Sequence, residues 1–279
     1  MMENKSMDLG RASIPDKKDF TKEEHVPSKV QADTLFHFVP EFRYLLTYLK
    51  NKMISPRYCP EDLEFLGLEK IQKMAYPMKC FCDINMHRLE EHLCWYGYYG
   101  VAFPKEWGMH QGIQPVQYIN QEAQLKKDFS EAFSVALQQE PSKAEKEMKS
   151  YMLHQLMYYK PYSGTFKNRN TGEITHKCFT DECEWRYIPD VTPKGFQQVY
   201  FDNDIVNSDG LEEHISGSME GIKEISLNFD YSDLKYVILK TRSDFNNLLE
   251  EMKSMNLSEQ DKLEIVSKVI IWEESKGDF

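Results

Sequence analysis

Two short stretches carry the residue types from which a nucleotide-using site could be made. One is Phe36-His37-Phe38, an imidazole between two large aromatics. The other is Asp181-Glu182-Cys183-Glu184-Trp185-Arg186-Tyr187, a carboxylate and a guanidinium interleaved with rings. Transfer of ADP-ribose from NAD passes through an oxocarbenium-like centre. It requires a donor to hold the ribose and a carboxylate to stabilise the developing positive charge. His37 and Glu184 are the candidate catalytic residues. His37, with Arg57 and Tyr58 of Pro56-Arg57-Tyr58-Cys59, is a candidate for binding NAD. Asp83, Lys105 and Arg186 are secondary candidates for the same cleft. Each has a plainer reading: His37 as a core histidine satisfied by a backbone carbonyl, Arg57-Tyr58 as a surface clamp in a loop, and Glu184/Arg186 as a same-face ion pair on a sheet edge, worth little energetically. The catalytic reading demands that imidazole 37 and carboxylate 184 open onto one cavity.

Other chemistries are poorly served. Cys80 and Cys82 share a strand face without the two-residue turn of a zinc pair, and Cys178 and Cys183 help only if folding brings them close. His87-x-x-Glu90-Glu91-His92 resembles a metallopeptidase helix, but histidines five apart diverge by about 140°. No metal site is assigned. Phosphate loop, dinucleotide-binding glycine pattern and Gly-x-Ser-x-Gly elbow are all missing from the sequence.

The elements that must position these residues read as an α+β fold, a mixed or antiparallel sheet with flanking helices. A strand at Leu35–Val39 stops at Pro40, and a helix runs from Glu41 towards Met53 on Phe42, Leu45, Leu46 and Leu49. A short helix is expected at Glu61–Leu66 and a strand at Lys79–Ile84, after Pro77. A helix N-capped by Asn85 follows, then a strand at Val101–Phe103 opened by Gly97 and Gly100, and another at Pro115–Ile119. Leu125, Phe129, Phe133 and Leu137 mark a long helix broken at Pro141. Ser142 and Glu145 form a capping box for the next, which carries Met148, Met152, Leu156 and Tyr159. A hairpin spans Gly164–Lys177 with its turn at Asn170-Thr171-Gly172. Strands at Glu184–Ile188, Gln197–Phe201, Ile225–Phe229, Tyr236–Lys240 and Val269–Trp272 complete the reading, with helices near Phe245–Met252 and Ser258–Ile265. Residues 1–30 read as a flexible arm and 31–279 as one α+β domain, in which 191–279 either complete the sheet or form a C-terminal lobe.

Composition sets the boundaries. An apolar fraction of 41%, with 16 Tyr, 16 Phe and 4 Trp among 279 residues, excludes disorder of the whole chain. Six cysteines are too few for a disulfide scaffold, and neither a signal peptide nor a membrane span is visible, so the expected location is cytoplasmic. The net charge of −11 disfavours broad capture of nucleic acid, leaves room for a local basic groove, and suits a basic protein partner.

The ordered blocks F-H-F at 36–38, P-R-Y-C at 56–59, Y-P-M-K-C-F-C-D-I at 76–84, Y-G-Y-Y-G-V-A-F-P-K-E-W-G at 96–108, P-V-Q-Y-I at 115–119 and D-E-C-E-W-R-Y-I-P at 181–189 resemble the AbiGi family of abortive-infection phage-resistance proteins. That resemblance implies an antitoxin or regulator of a two-gene system, acting with a partner toxin that is nucleotidyltransferase-like. The same blocks distantly resemble ADP-ribosyltransferase-type folds, in which a first-strand histidine and a late glutamate contact NAD. His37 and Glu184 match those positions. No middle-strand Ser or Tyr matches, because Tyr58 is read in a loop and the second strand offers Cys80 and Cys82. The alternative function is therefore an NAD-dependent, ADP-ribosyltransferase-like enzyme that modifies a host or phage macromolecule.

Overall fold

The computed structural model describes residues 26–68, 71–138, 143–167, 172–201 and 211–278. Its centre is a long strand, Lys73–Cys82, on which four others pair antiparallel: Thr34–Val39, Glu184–Tyr187, Tyr200–Phe201 and Arg57–Asp62. Tyr99–Pro104 and Tyr236–Leu239 continue the sheet antiparallel beyond Thr34–Val39, and Val269–Ile271 closes that side in parallel. Among the described residues the sheet has nine strands; it is mixed, and the fold is α+β. Residues 191–279 contribute three of its strands, so they extend the same sheet.

Pro77 lies inside the long strand, not before it. On one edge Glu184–Tyr187 covers Lys79–Cys82 and Tyr200–Phe201 covers Met74–Ala75. Pro77 falls in the gap between them, where no ladder partner asks for its missing N–H. The segment read as a loop and short helix at 57–66 is an edge strand, Arg57–Asp62, followed by a single 3₁₀ turn at Glu64–Leu66. The polar stretch before residue 225 holds a helix, Leu211–Met219. Ser142, Asn170 and Thr171 of the expected hairpin turn, and residues 1–25 of the expected arm lie outside the described residues.

Alternation along the long strand sorts the core into two faces. Phe81 shares a face with Leu35, Val101 and Val237, and they pack under Leu45 and Leu49 of helix Phe42–Asn51 and Leu248 of helix Arg242–Ser254. The opposite face carries Phe36, Cys82 and Ala102 under helix Leu89–Tyr96, and Met74, Tyr76 and Met78 under the helix pair Gln124–Gln138 and Lys143–Met157. Helix positions 129 and 133 are buried as the period predicts, whereas Leu125 and Met148 face outward. Among the described residues no helix is long and apolar enough to cross a membrane.

Candidate functional site

Register decides the fate of the two principal candidates. Phe36 pairs with Cys82, and Cys82 pairs with Glu184. These three side chains share one face, so His37, next to Phe36, points to the other. The imidazole is buried there against Phe81 and Tyr48. Its Nδ1 lies 2.7 Å from the Cys80 carbonyl, which can only accept, so Nδ1 carries the proton. Nε2 accepts from the Tyr48 hydroxyl at 3.2 Å, and that hydroxyl also receives Lys79 Nζ at 3.3 Å. His37 is thus the carbonyl-satisfied core histidine of the plainer reading. Burial, helped by the Lys79 charge, lowers its pKa to about 3.

On the opposite face Glu184 anchors a buried chain of charges. Its carboxylate accepts Arg186 Nε at 2.7 Å and is ion-paired to Lys160, which also binds Glu182. Arg186, with no exposed side-chain surface, extends to Glu61 at 2.9 Å, to the Met157 carbonyl at 2.8 Å and to the Tyr76 hydroxyl. Glu182 in turn accepts Lys177 Nζ at 2.8 Å and the Tyr96 hydroxyl at 2.5 Å. Three carboxylates face three cations, so the cluster is neutral as a whole. Burial pushes the Glu184 carboxyl up, but Arg186 and Lys160 outweigh it and hold it well below the usual carboxylate range. Glu182 is held low in the same way by Lys160 and Lys177. Local backbone aims both glutamates at one ammonium: the 3₁₀ turn Phe179–Glu182 ends at Cys183 in the left-handed region, φ 42°, and the strand begins at Glu184.

The NAD site built on His37 and Glu184 is therefore not assembled. The sheet separates the two, and each is saturated by protein partners. Tyr58 belongs to neither face's polar group. It sits on the edge strand, 3% exposed, packed on Tyr200 with its hydroxyl on the Gln197 carbonyl, while Arg57 is exposed. Asp83 and Lys105 form a separate buried pair, 2.6 Å apart beside Trp185, on the His37 side of the sheet. Arg186 does join Glu184, as the same-face reading anticipates, but in the interior and not on an exposed edge. The partners Lys160, Glu182, Glu61 and Lys177 were missed. Two of them are close in sequence, and a lysine between Tyr159 and Pro161 was the available signal for the third. Among the described residues no group of three or more His, Cys, Asp and Glu side chains is arranged to hold a metal ion.

Two members of the charge chain, Glu61 and Lys160, line an open cleft of about 740 Å³. One wall is the end of the edge strand with Glu61, Asp62, Glu64 and Phe65. The other wall is Tyr162 with Ser163–Phe166, the latter from the hairpin formed by Ser163–Lys167 and Ile174–Cys178. That hairpin is pinned by Lys177, whose ammonium lies 5.2, 5.3 and 5.2 Å from the ring centres of Trp95, Tyr96 and Phe166.

These burials predict an acid sensitivity. A histidine held neutral has its folded pKa below its unfolded one, so the unfolded chain binds more protons between the two values. Stability is complete above about pH 6.5 and is lost as the pH falls towards about 3 for His37 and about 4 for His92, whose ring, between Phe38 and Tyr96, is held neutral by burial. The depressed Glu184 and Glu182 add losses of the same sign, beginning below about pH 4.5. Thermal midpoints by circular dichroism should therefore fall steadily from pH 7 to 5, and His37→Gln should flatten that decline. A wild-type midpoint constant over this interval would contradict the assignment.

Comparison with known proteins adds the family. Residues 51–240 match the model of the family described as "Putative abortive phage resistance protein AbiGi, antitoxin". An abortive phage resistance protein AbiGi from Lactococcus lactis subsp. cremoris is 28% identical over 246 residues, covering 80% of this chain and 98% of that protein. No solved structure matches, so the ADP-ribosyltransferase resemblance gains no support from known folds. The edge strand, the long strand, the buried charge chain and its cleft all fall within the matched residues, and the chain belongs to the AbiGi family of abortive phage resistance proteins.

Proposed function

We propose that this protein acts in phage defence by binding, as the antitoxin of a toxin–antitoxin pair, and not by consuming NAD. The observation that carries this reading is the saturation of Glu184. A carboxylate charged, buried and ion-paired to both Arg186 and Lys160 has no free oxygen directed at a substrate and cannot approach His37 through the sheet. The family description supplies the antitoxin role, and a toxin partner follows from it. Glu61 and Lys160, both tied into the neutral charge chain, line an open cleft, and a surface held in place in this way lowers the cost of association.

Co-expression with the product of the adjacent reading frame, with an affinity tag on one chain, tests this. The two proteins should copurify, and growth inhibited by the neighbour alone should be restored when both are made. Failure to copurify, or heat from millimolar NAD titrated into the purified chain in a calorimeter, would overturn it.

A further inference from the structure

We infer that the cleft lined by Glu61 and Lys160 receives an extended, basic segment of the partner protein; this rests on the antitoxin reading and gives it a location. The walls supply the first reason. Pro60–Asp62 on one side and Ser163–Phe166 on the other belong to strands that each pair along one edge among the described strands, and both stretches line the cleft. Pro60 has no N–H to give and the Tyr58 N–H is held by Ser216, so on that wall an added extended segment finds the Pro60 carbonyl and the Asp62 backbone, and the remaining donors and acceptors come from the Ser163–Phe166 side.

Charge gives the second reason. Glu61 spends one oxygen on Arg186 and keeps a quarter of its side chain exposed, at 25%. Asp62 and Glu64 form no ion pair with a described residue. Lys160, the lysine lining the cleft, is already neutralised by Glu182 and Glu184, so it does not repel an incoming cation. Phe65, Phe166 and the half-exposed Tyr162 provide ring surface for the aliphatic stems of lysine or arginine side chains. The net charge of −11 favours the same sign of partner at long range.

Lys177 fixes the geometry. By clamping the hairpin between Trp95, Tyr96, Phe166 and Glu182, it holds the cleft's second wall at a set distance from the first. The stretch Ser163–Phe166 that lines the cleft is thus set in place before a partner arrives, which lowers the cost of association.

The test uses the full chain and the product of the adjacent reading frame, with affinity measured by biolayer interferometry. Glu64→Lys and, separately, Tyr162→Ser should each weaken binding about tenfold, a loss of about 1.4 kcal/mol, with midpoints of unfolding near wild type. Glu259→Lys, an identical change of charge on the exposed helix Glu259–Ser267, should bind as wild type. If wild type binds and both cleft variants bind equally well, the cleft is not the docking site while the antitoxin reading stands. If Glu259→Lys weakens binding as much as Glu64→Lys, net charge alone accounts for the effect and the cleft inference fails. If wild type does not bind, the antitoxin reading itself falls.

Discussion

Glu184→Ala should lower the unfolding free energy by about 3–5 kcal/mol, the range found when one partner of a buried ion pair is removed. In a chain of this size that corresponds to a fall in thermal midpoint of roughly ten degrees. The residue lies at the centre of the chain of charges, so its loss takes one carboxylate from two cations at once. Arg186 has no exposed surface and cannot shed its proton, so it remains a buried charge with Glu61 as its one carboxylate. Lys160 retains Glu182. Because the guanidinium stays ionised, the penalty should change little between pH 7 and 6. Glu184→Gln, which keeps an acceptor for Arg186 Nε, should cost about half as much. Urea denaturation of the three proteins checks this. A Glu184→Gln protein as stable as wild type would return the residue to the list of substrate-facing groups. The practical consequence is that loss of phage resistance in a Glu184 variant has to be read against its unfolding curve, since a destabilised antitoxin and a catalytically dead enzyme look alike in a growth assay.

What the chain discloses by itself is its local order. The strand at Thr34–Val39, the glycine-opened strand at Tyr99–Pro104 and the helix capped by Ser258 are set by short-range patterns: β-branched and aromatic runs, a proline stop, a side-chain cap. The shared face of Glu184 and Arg186 also follows from period two alone. What was not legible is register. Whether residue 36 or 37 faces Glu184 depends on a one-residue choice of pairing made through Cys82, and shifting it by one exchanges the faces. Nor does spacing reveal that Glu61 reaches Arg186 across 125 positions or that Lys160 closes the chain between two glutamates. Pro77 misled for a related reason: a proline argues against a strand interior only if both of its edges are occupied, and occupancy is a tertiary fact. The sequence therefore identified the residues with unusual chemistry and missed that the fold spends that chemistry internally.

Lys105→Met is the second large effect, and its pH dependence should differ from that of Glu184→Ala. Lys105 and Asp83 are both nearly inaccessible, with 7% and 0% of their side chains exposed, and stand 2.6 Å apart. Burial already raises the Asp83 pKa even with Lys105 opposing it. Without the ammonium, the carboxylate has a way out that Arg186 lacks: it takes up a proton. Keeping a carboxyl of unfolded pKa about 3.9 protonated at pH 7 costs about 4 kcal/mol, at about 1.4 kcal/mol per unit, and this caps the penalty. The folded-state pKa of Asp83 then lies far above the unfolded one, so the variant binds more protons folded than unfolded and recovers stability as the pH falls. The deficit relative to wild type should shrink from about 3–4 kcal/mol at pH 7 to about 1 kcal/mol at pH 5. Lys105→Met combined with Asp83→Leu should return most of the loss at pH 7, because an apolar pair in a packed site replaces a buried ion pair at little cost. Urea titrations at pH 5, 6 and 7 on the single and double variants decide it. A Lys105→Met deficit independent of pH would mean that Asp83 keeps its charge through another partner, and the pair would then be a candidate for binding rather than for holding the sheet to helix Lys105–His110.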